Sequence, residues 1–234
     1  MTRLVCAAAA VLALAAPGVA ACARNSDGTA VRVEASTSAT SVAPTSASPT
    51  TKMTDEPESS QPGVVETTKV PVPPNAVVCR PEQPGPTVVA TVADPAAPQI
   101  TVRVPAGWSA TPGAGDVGAS LSGPDDMVAR VTIAATPLDP AAAFTRYGDE
   151  VMAKYPISTL SLLPGDFCGF SGQRLMGTWA QDPGESIEYR DRIAHIWTNG
   201  GNFLVAVHVE APSETPGFDE AASVLTDKFT IVIP

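Results

Sequence analysis

The chain has 234 residues, with 14 Lys and Arg against 24 Asp and Glu and a formal net charge of −10. The basic residues are scattered, and a binder of nucleic acid or of anionic headgroups needs concentrated positive charge, so both classes are set aside. The acidity itself bears mainly on solubility.

Arg3 is followed by an unbroken apolar run from Leu4 to Ala16. The run suits the apolar region of an export signal and falls short of the about 20 residues that a transmembrane helix needs. Pro17 and Gly18 break it, and Val19-Ala20-Ala21-Cys22 resembles the bacterial lipobox. That resemblance implies a signal of residues 1–21, cleavage before Cys22, and a diacylglyceryl group with palmitate-type chains on Cys22. Two or more acyl chains hold a protein stably at a membrane, where one holds it marginally. The alternative is plain secretion with an incidental cysteine; Cys6 leaves with the signal in either case. Residues 22–76 then read as the lipidated cysteine and a disordered tether. Residues 35–63 hold 13 Ser and Thr with Pro44, Pro49, Pro57 and Pro62 among them, a composition that buries too little surface to offset its ordering entropy. Ser, Thr and Pro together are also the composition of O-glycosylated stalks.

Residues 77–234 are enough for one domain with its own core. They keep two cysteines, Cys79 and Cys168. In an oxidising compartment the economical reading is a disulfide between them. The alternative is a redox or metal pair, which would lack both a CxxC motif and a supply of histidines.

Through this domain the first expected strands are 87–93 and 99–104, the second with Ile100, Val102 and Val104 on one face, ending in a turn at Pro105-Ala106-Gly107-Trp108. A hairpin follows, 119–122 and 127–135 about Gly123-Pro124-Asp125-Asp126. Asp139-Pro140 is an N-cap and first-turn signature. Phe144, Tyr147, Val151 and Tyr155 then mark one face of a helix that Pro156 stops. Residues 157–163, 174–180, 186–197 and 202–210 are four further strands, with Asn199-Gly200-Gly201 as a hairpin turn chosen for residues that tolerate positive φ. A helix over about 216–228 and a short strand 230–233 close the chain. The order favours an α+β domain with a mostly antiparallel β-sheet and helices packed on it.

Given these elements, the Val19–Cys22 box, the Ser/Thr/Pro stretch, Ile100-Thr101-Val102-Arg103-Val104-Pro105-Ala106-Gly107-Trp108 and Leu138-Asp139-Pro140-Ala141 make the chain resemble the mycobacterial LpqN/LpqT-type lipoproteins, over most of residues 95–234. The Pro-x-Gly-Trp turn is also typical of the wider PsbP-like fold. The resemblance implies an α/β/α sandwich and a non-enzymatic envelope module that binds a protein or a lipid. It carries no catalytic residues with it.

The hydrolase elbow, the P-loop, the dinucleotide fingerprint, HExxH and the EF-hand loop are all absent. Gly169-Phe170-Ser171-Gly172 approaches the elbow but ends in Gln173. His195 and His208 fall within expected strands, where packed or half-exposed imidazoles are the ordinary case; a metal site with Asp191 or Glu210 and a serine triad are the functional alternatives. Asp125-Asp126 reads as turn chemistry. Aromatics make up only 5% of the chain, so a few rings must serve both core and surface. At least two tryptophans should be core, and Trp108, Phe170, Trp179, Tyr189 and Trp197 are the candidates for a binding surface. The chain is expected to be no enzyme and to use no cofactor or metal. It is expected on the extracytoplasmic face of the membrane, binding an envelope protein, a lipid or a glycolipid. A carrier with an internal apolar cavity and an extracytoplasmic hydrolase are the rivals. The carrier requires an apolar pocket between sheet and helices, and the hydrolase requires a histidine in a cleft beside a carboxylate and a hydroxyl.

Overall fold

The computed structural model describes residues 61–82 and 84–234. The expected signal, Cys22 and residues 23–60 of the expected tether lie outside the described residues.

Twelve strands and two helices follow one another among the described residues: β1 (Ala76–Cys79), β2 (Thr87–Ala90), β3 (Gln99–Arg103), β4 (Ser109–Pro112), β5 (Val117–Ser122), β6 (Val128–Ala135), α1 (Pro140–Ala153), β7 (Ile157–Ser158), β8 (Ser161–Pro164), β9 (Ser171–Ala180), β10 (Ser186–Thr198), β11 (Gly201–Pro212), α2 (Phe218–Leu225) and β12 (Thr230–Ile233). All pairings are antiparallel. A large sheet runs β4-β5-β6-β11-β10-β9-β7, with β8 also on β9, and a small sheet runs β1-β12-β3-β2. This is the expected α+β class.

Alternation on β11 sets the layers. Phe203, Val205, Val207, Val209 and Ala211 point to one face of the large sheet, where they meet Phe218, Ala221, Ala222 and Leu225 of α2 and Ile100, Val102, Ile231 and Ile233 of the small sheet. On the other face Phe144 of α1 packs on Leu175, Ile193 and Ala206. Helices therefore flank the large sheet on both faces, with the small sheet sharing the second layer. Asp139 caps α1 by accepting from the Ala142 N–H at 2.9 Å, with Pro140 behind it, as the sequence signature requires.

Several local expectations change. Helix α2 is shorter than its apolar pattern, because Gly217 starts it at φ 79 and Phe229 belongs to the approach to β12. The strand expected over 157–163 is split into β7 and β8 around Thr159, whose carbonyl accepts the Tyr189 hydroxyl at 2.7 Å. Strand β4, fully exposed along its length, was not expected. The domain also begins earlier than residue 77, since residues 61–75 are bonded to it through Gly63, Val65, Lys69 and Val72. The expected disulfide is present between Cys79, at the end of β1, and Cys168, in the loop before β9.

Candidate functional site

The two histidines stand apart. On β10 and β11, Asp191 is the register partner of His208, whereas His195 pairs with Leu204. No site uses both, and among the described residues no group of three or more His, Cys, Asp or Glu is placed to hold a metal ion.

His208 faces α1 from β11. Its Nδ1 lies 2.5 Å from Asp191 Oδ1, and its Nε2 lies 3.1 Å from Glu210 Oε2. The second Asp191 oxygen accepts the Tyr147 hydroxyl of α1 at 3.1 Å, and Glu210 accepts Lys154 at 3.0 Å. Burial would push the His208 pKa down, but the bonds and charges of Asp191 and then Glu210 outweigh it and raise it to about 9. The bond from His208 lowers Glu210 to about 2 against its burial, with Lys154 adding to the effect. Burial first, and then the Asp191 charge, push the Tyr147 hydroxyl well above its usual range. His208 is thus an imidazolium at neutral pH, with both N–H groups directed at carboxylates. It has no lone pair with which to accept a proton, and the nearby hydroxyl of Tyr147 bonds to Asp191 rather than to the imidazole. The arrangement fastens α1 to the sheet. His208 and Glu210, two residues apart on one strand face, were a legible pair in the sequence; their meeting with Asp191 and Lys154 depended on register.

His195 is buried, and its Nε2 lies 2.9 Å from the Leu138 carbonyl, just before α1. Burial holds its pKa below the usual value, despite that bond. It is a neutral imidazole whose Nε2–H donates to Leu138.

The aromatic candidates divide. Phe170, Trp179 and Tyr189 are 3%, 2% and 0% exposed, so these three are interior and do not present a surface. Trp179 stacks on Tyr189 at 4.1 Å, carries Lys154 3.8 Å from its ring centroid, and donates its Nε1–H to the Val151 carbonyl at 3.0 Å. Both rings fit because Gly177 is the register partner of Tyr189; a Cβ there would come within 2.6 Å of the Tyr189 hydroxyl. Trp108 and Trp197 are half-buried against the main core.

Trp197 and His195 line a cleft of about 490 Å³ whose other wall is Val64, Val65, Glu66, Thr67 and Lys69 from the segment before β1, and whose floor includes Pro137, Leu138 and Pro140. Its volume falls in the range of small-ligand clefts, and half of its lining is polar or charged, with Glu66, Lys69, Asp139 and Asn202 beside His195 and Thr67. A larger cavity of about 640 Å³ lies by Tyr155, Ile187 and Glu214 and reaches Trp179. There, however, Trp179 is already covered by Tyr189 and Lys154. The cleft under residues 64–69 is therefore the candidate binding site, and of the five proposed aromatics it contains Trp197 alone.

Sequence reasoning also passed over Arg192. It is buried, donates to the Gly165 carbonyl at 2.6 Å and lies 4.6 Å over the Phe167 ring. Burial, and next the neighbouring Arg174, lower its pKa to about 10, so it remains charged and holds the loop that carries Cys168.

No protein-family model matches the chain, and no curated protein matches it. Among solved structures it is similar to the crystal structure of LpqN of Mycobacterium tuberculosis, described as involved in cell envelope biogenesis. The identity is 20%, 63% of this chain and 91% of that chain are covered, and the TM-score is 0.49. Among the described residues no helix is long and apolar enough to cross a membrane.

Proposed function

We propose that the chain is an exported envelope lipoprotein, anchored through Cys22 on the extracytoplasmic face, whose domain binds a partner without catalysing a reaction. One observation carries the non-catalytic part. His208 has both nitrogens directed at carboxylates, and the Nε2–H of His195 donates to a main-chain carbonyl, so neither imidazole is paired with a nucleophile. Binding is assigned to the cleft between residues 64–69 and the Leu138–Pro140 entry to α1, with Trp197 as an apolar wall and the buried His195 as a polar group lining it. The partner is an envelope lipid or glycolipid, or an envelope protein that inserts a side chain there. The carrier reading is disfavoured for the space between the large sheet and α2, which Val205, Val207, Val209, Phe218 and Leu225 fill.

The test is native mass spectrometry of the full mature chain, released gently from its own envelope, beside a Trp197→Ala chain. A bound mass lost on denaturation and absent from the variant is the expected result for a small ligand. A clean polypeptide mass from both directs the search to photocrosslinking at position 197, where a protein adduct is then expected. Neither a bound mass nor an adduct would remove the cleft as a binding site. The anchor is tested separately: Cys22→Ala should move the chain from the detergent phase to the aqueous phase.

A further inference from the structure

Residues 61–73 read as tether, yet they lie in a groove formed by the start of β9 and the β10–β11 turn. That groove grips the main chain. Ser171 accepts from the Val65 N–H at 3.0 Å and donates to the Val65 carbonyl at 3.1 Å. Seven residues on, Asn199 accepts from the Val72 N–H at 3.2 Å and donates to the Val72 carbonyl at 2.9 Å. Between and before these clamps, Gln173 donates to the Pro62 carbonyl, the Gly172 N–H donates to Gly63, and Lys69 donates to Asn202. Ser171 and Gln173 are 1% and 0% exposed. The groove is also selective. Gly63 sits at φ 75 in a turn closed by the Val64 N–H on the Gln61 carbonyl, and a Cβ on it would meet the Gly172 carbonyl oxygen at 1.8 Å, so the segment fits only with glycine at that place.

The strap joins the rest of the domain through one turn. The Ala76 N–H donates to the Pro73 carbonyl at 3.1 Å, and exposed Asn75 holds φ 60. Pro at the second turn position and Asn at the third, left-handed one are the signature of a type II turn. Just beyond it, β1 is pinned by the Cys79–Cys168 disulfide. Any movement of the strap is therefore confined to the Pro73–Asn75 hinge.

We propose that this groove also takes residues 61–73 of a second copy of the chain, so that neighbouring molecules exchange straps. The intermolecular contacts equal the intramolecular ones, and only the hinge turn opens; such exchange of an identical element is a low-cost route to a dimer. The Gly63 requirement favours a second copy over an unrelated extended peptide. In the exchanged pair each cleft has its Glu66, Thr67 and Lys69 wall from the partner copy. The anchored reading contributes only the local concentration, since copies held on one membrane meet more often than free ones.

The test uses the full chain, purified in detergent and reconstituted, with three variants. Asn75→Val disfavours the left-handed hinge, and two hinges at about 1 kcal/mol or more each should raise dimer association about thirtyfold or more. Asn75→Gly relaxes the closed turn and should lower it. Gly63→Val blocks the seat and should abolish the dimer, even when combined with Asn75→Val. Light scattering reads the mass. Crosslinking of mixed isotope-labelled and unlabelled chains reads whether residues 61–73 of one copy lie against residues 165–202 of another. Equal dimer fractions at all three Asn75 states, or a dimer insensitive to Gly63→Val, would overturn the proposal. A Cys22→Ala chain that exchanges in solution but no longer partitions into detergent separates this result from the anchoring reading.

Discussion

The His208 network makes stability depend on pH with a defined sign. The folded-state pKa of His208 is about 9, against an ordinary value of 6.5. A histidine whose pKa rises on folding contributes stability that is fully present below the unfolded value and is lost as pH climbs through the folded one. That difference corresponds to about 3 kcal/mol, with Glu210 sharing the same interaction rather than adding a second full amount. His208 and Glu210 side chains are 14% and 15% exposed, so solvent screening removes only part of it. The window from pH 6.5 to 9 isolates this group. His195, with its pKa depressed, exchanges its proton below 6.5, and the raised tyrosines act above 9. For a domain of this size about 3 kcal/mol is worth roughly 6–12 °C in Tm. Thermal unfolding of the wild-type chain and of His208→Gln, followed by far-ultraviolet circular dichroism at pH 6.5 and 9, should show a fall of that order in the wild type alone. Equal slopes in the two chains would refute the account of His208 as an imidazolium held between two carboxylates.

Three other outcomes follow from particular contacts. Gly177→Ala places a methyl 2.0 Å from the Thr159 carbonyl oxygen and 2.6 Å from the Tyr189 hydroxyl; it should cost about 1–3 kcal/mol or more in denaturant unfolding, and an unchanged midpoint would contradict the packing of Tyr189. Replacing Cys79 and Cys168 together by Ser opens a cross-link spanning 89 residues, with a chain-entropy ceiling of about 4–5 kcal/mol; the loss should appear as a lowered midpoint under non-reducing conditions. Asn199→Ala removes both bonds to Val72, so trypsin should cut after Lys69 faster while the Tm of the domain stays nearly constant. A Tm drop matching the rise in cleavage would mean that the strap and the domain unfold as one unit.

The parts of the fold that were legible in the sequence are those with one dominant local cause. Val205, Val207 and Val209 alternate and are buried, and Asp139-Pro140 begins a helix because a carboxylate there satisfies an otherwise unpaired N–H. The strap was illegible because its cause is not local. Its composition offers no periodicity, and its partners are side chains about 100 residues or more away in sequence that bind main-chain atoms. Phe170, Trp179 and Tyr189 were ambiguous because a ring suits a core and a binding surface equally until its neighbours are known.

Asn199-Gly200-Gly201 shows how the right element can be inferred for the wrong reason. The turn forms there, but neither Asn199 nor Gly200 is in the left-handed region. Gly200 is required because a Cβ would meet Ala96 at 2.6 Å, and Asn199 is the double clamp on Val72. Both residues thus join distant parts of the chain, one the loop before β3 and the other the strap. A substitution that kept the hairpin, such as Asn199→Asp, would leave its type of turn chemistry intact. It would also remove the amide donor to Val72 and place a carboxylate against that carbonyl. The hairpin should survive and the strap should loosen, and the two effects are separable because amide hydrogen exchange reports residues 61–73 and residues 190–210 independently.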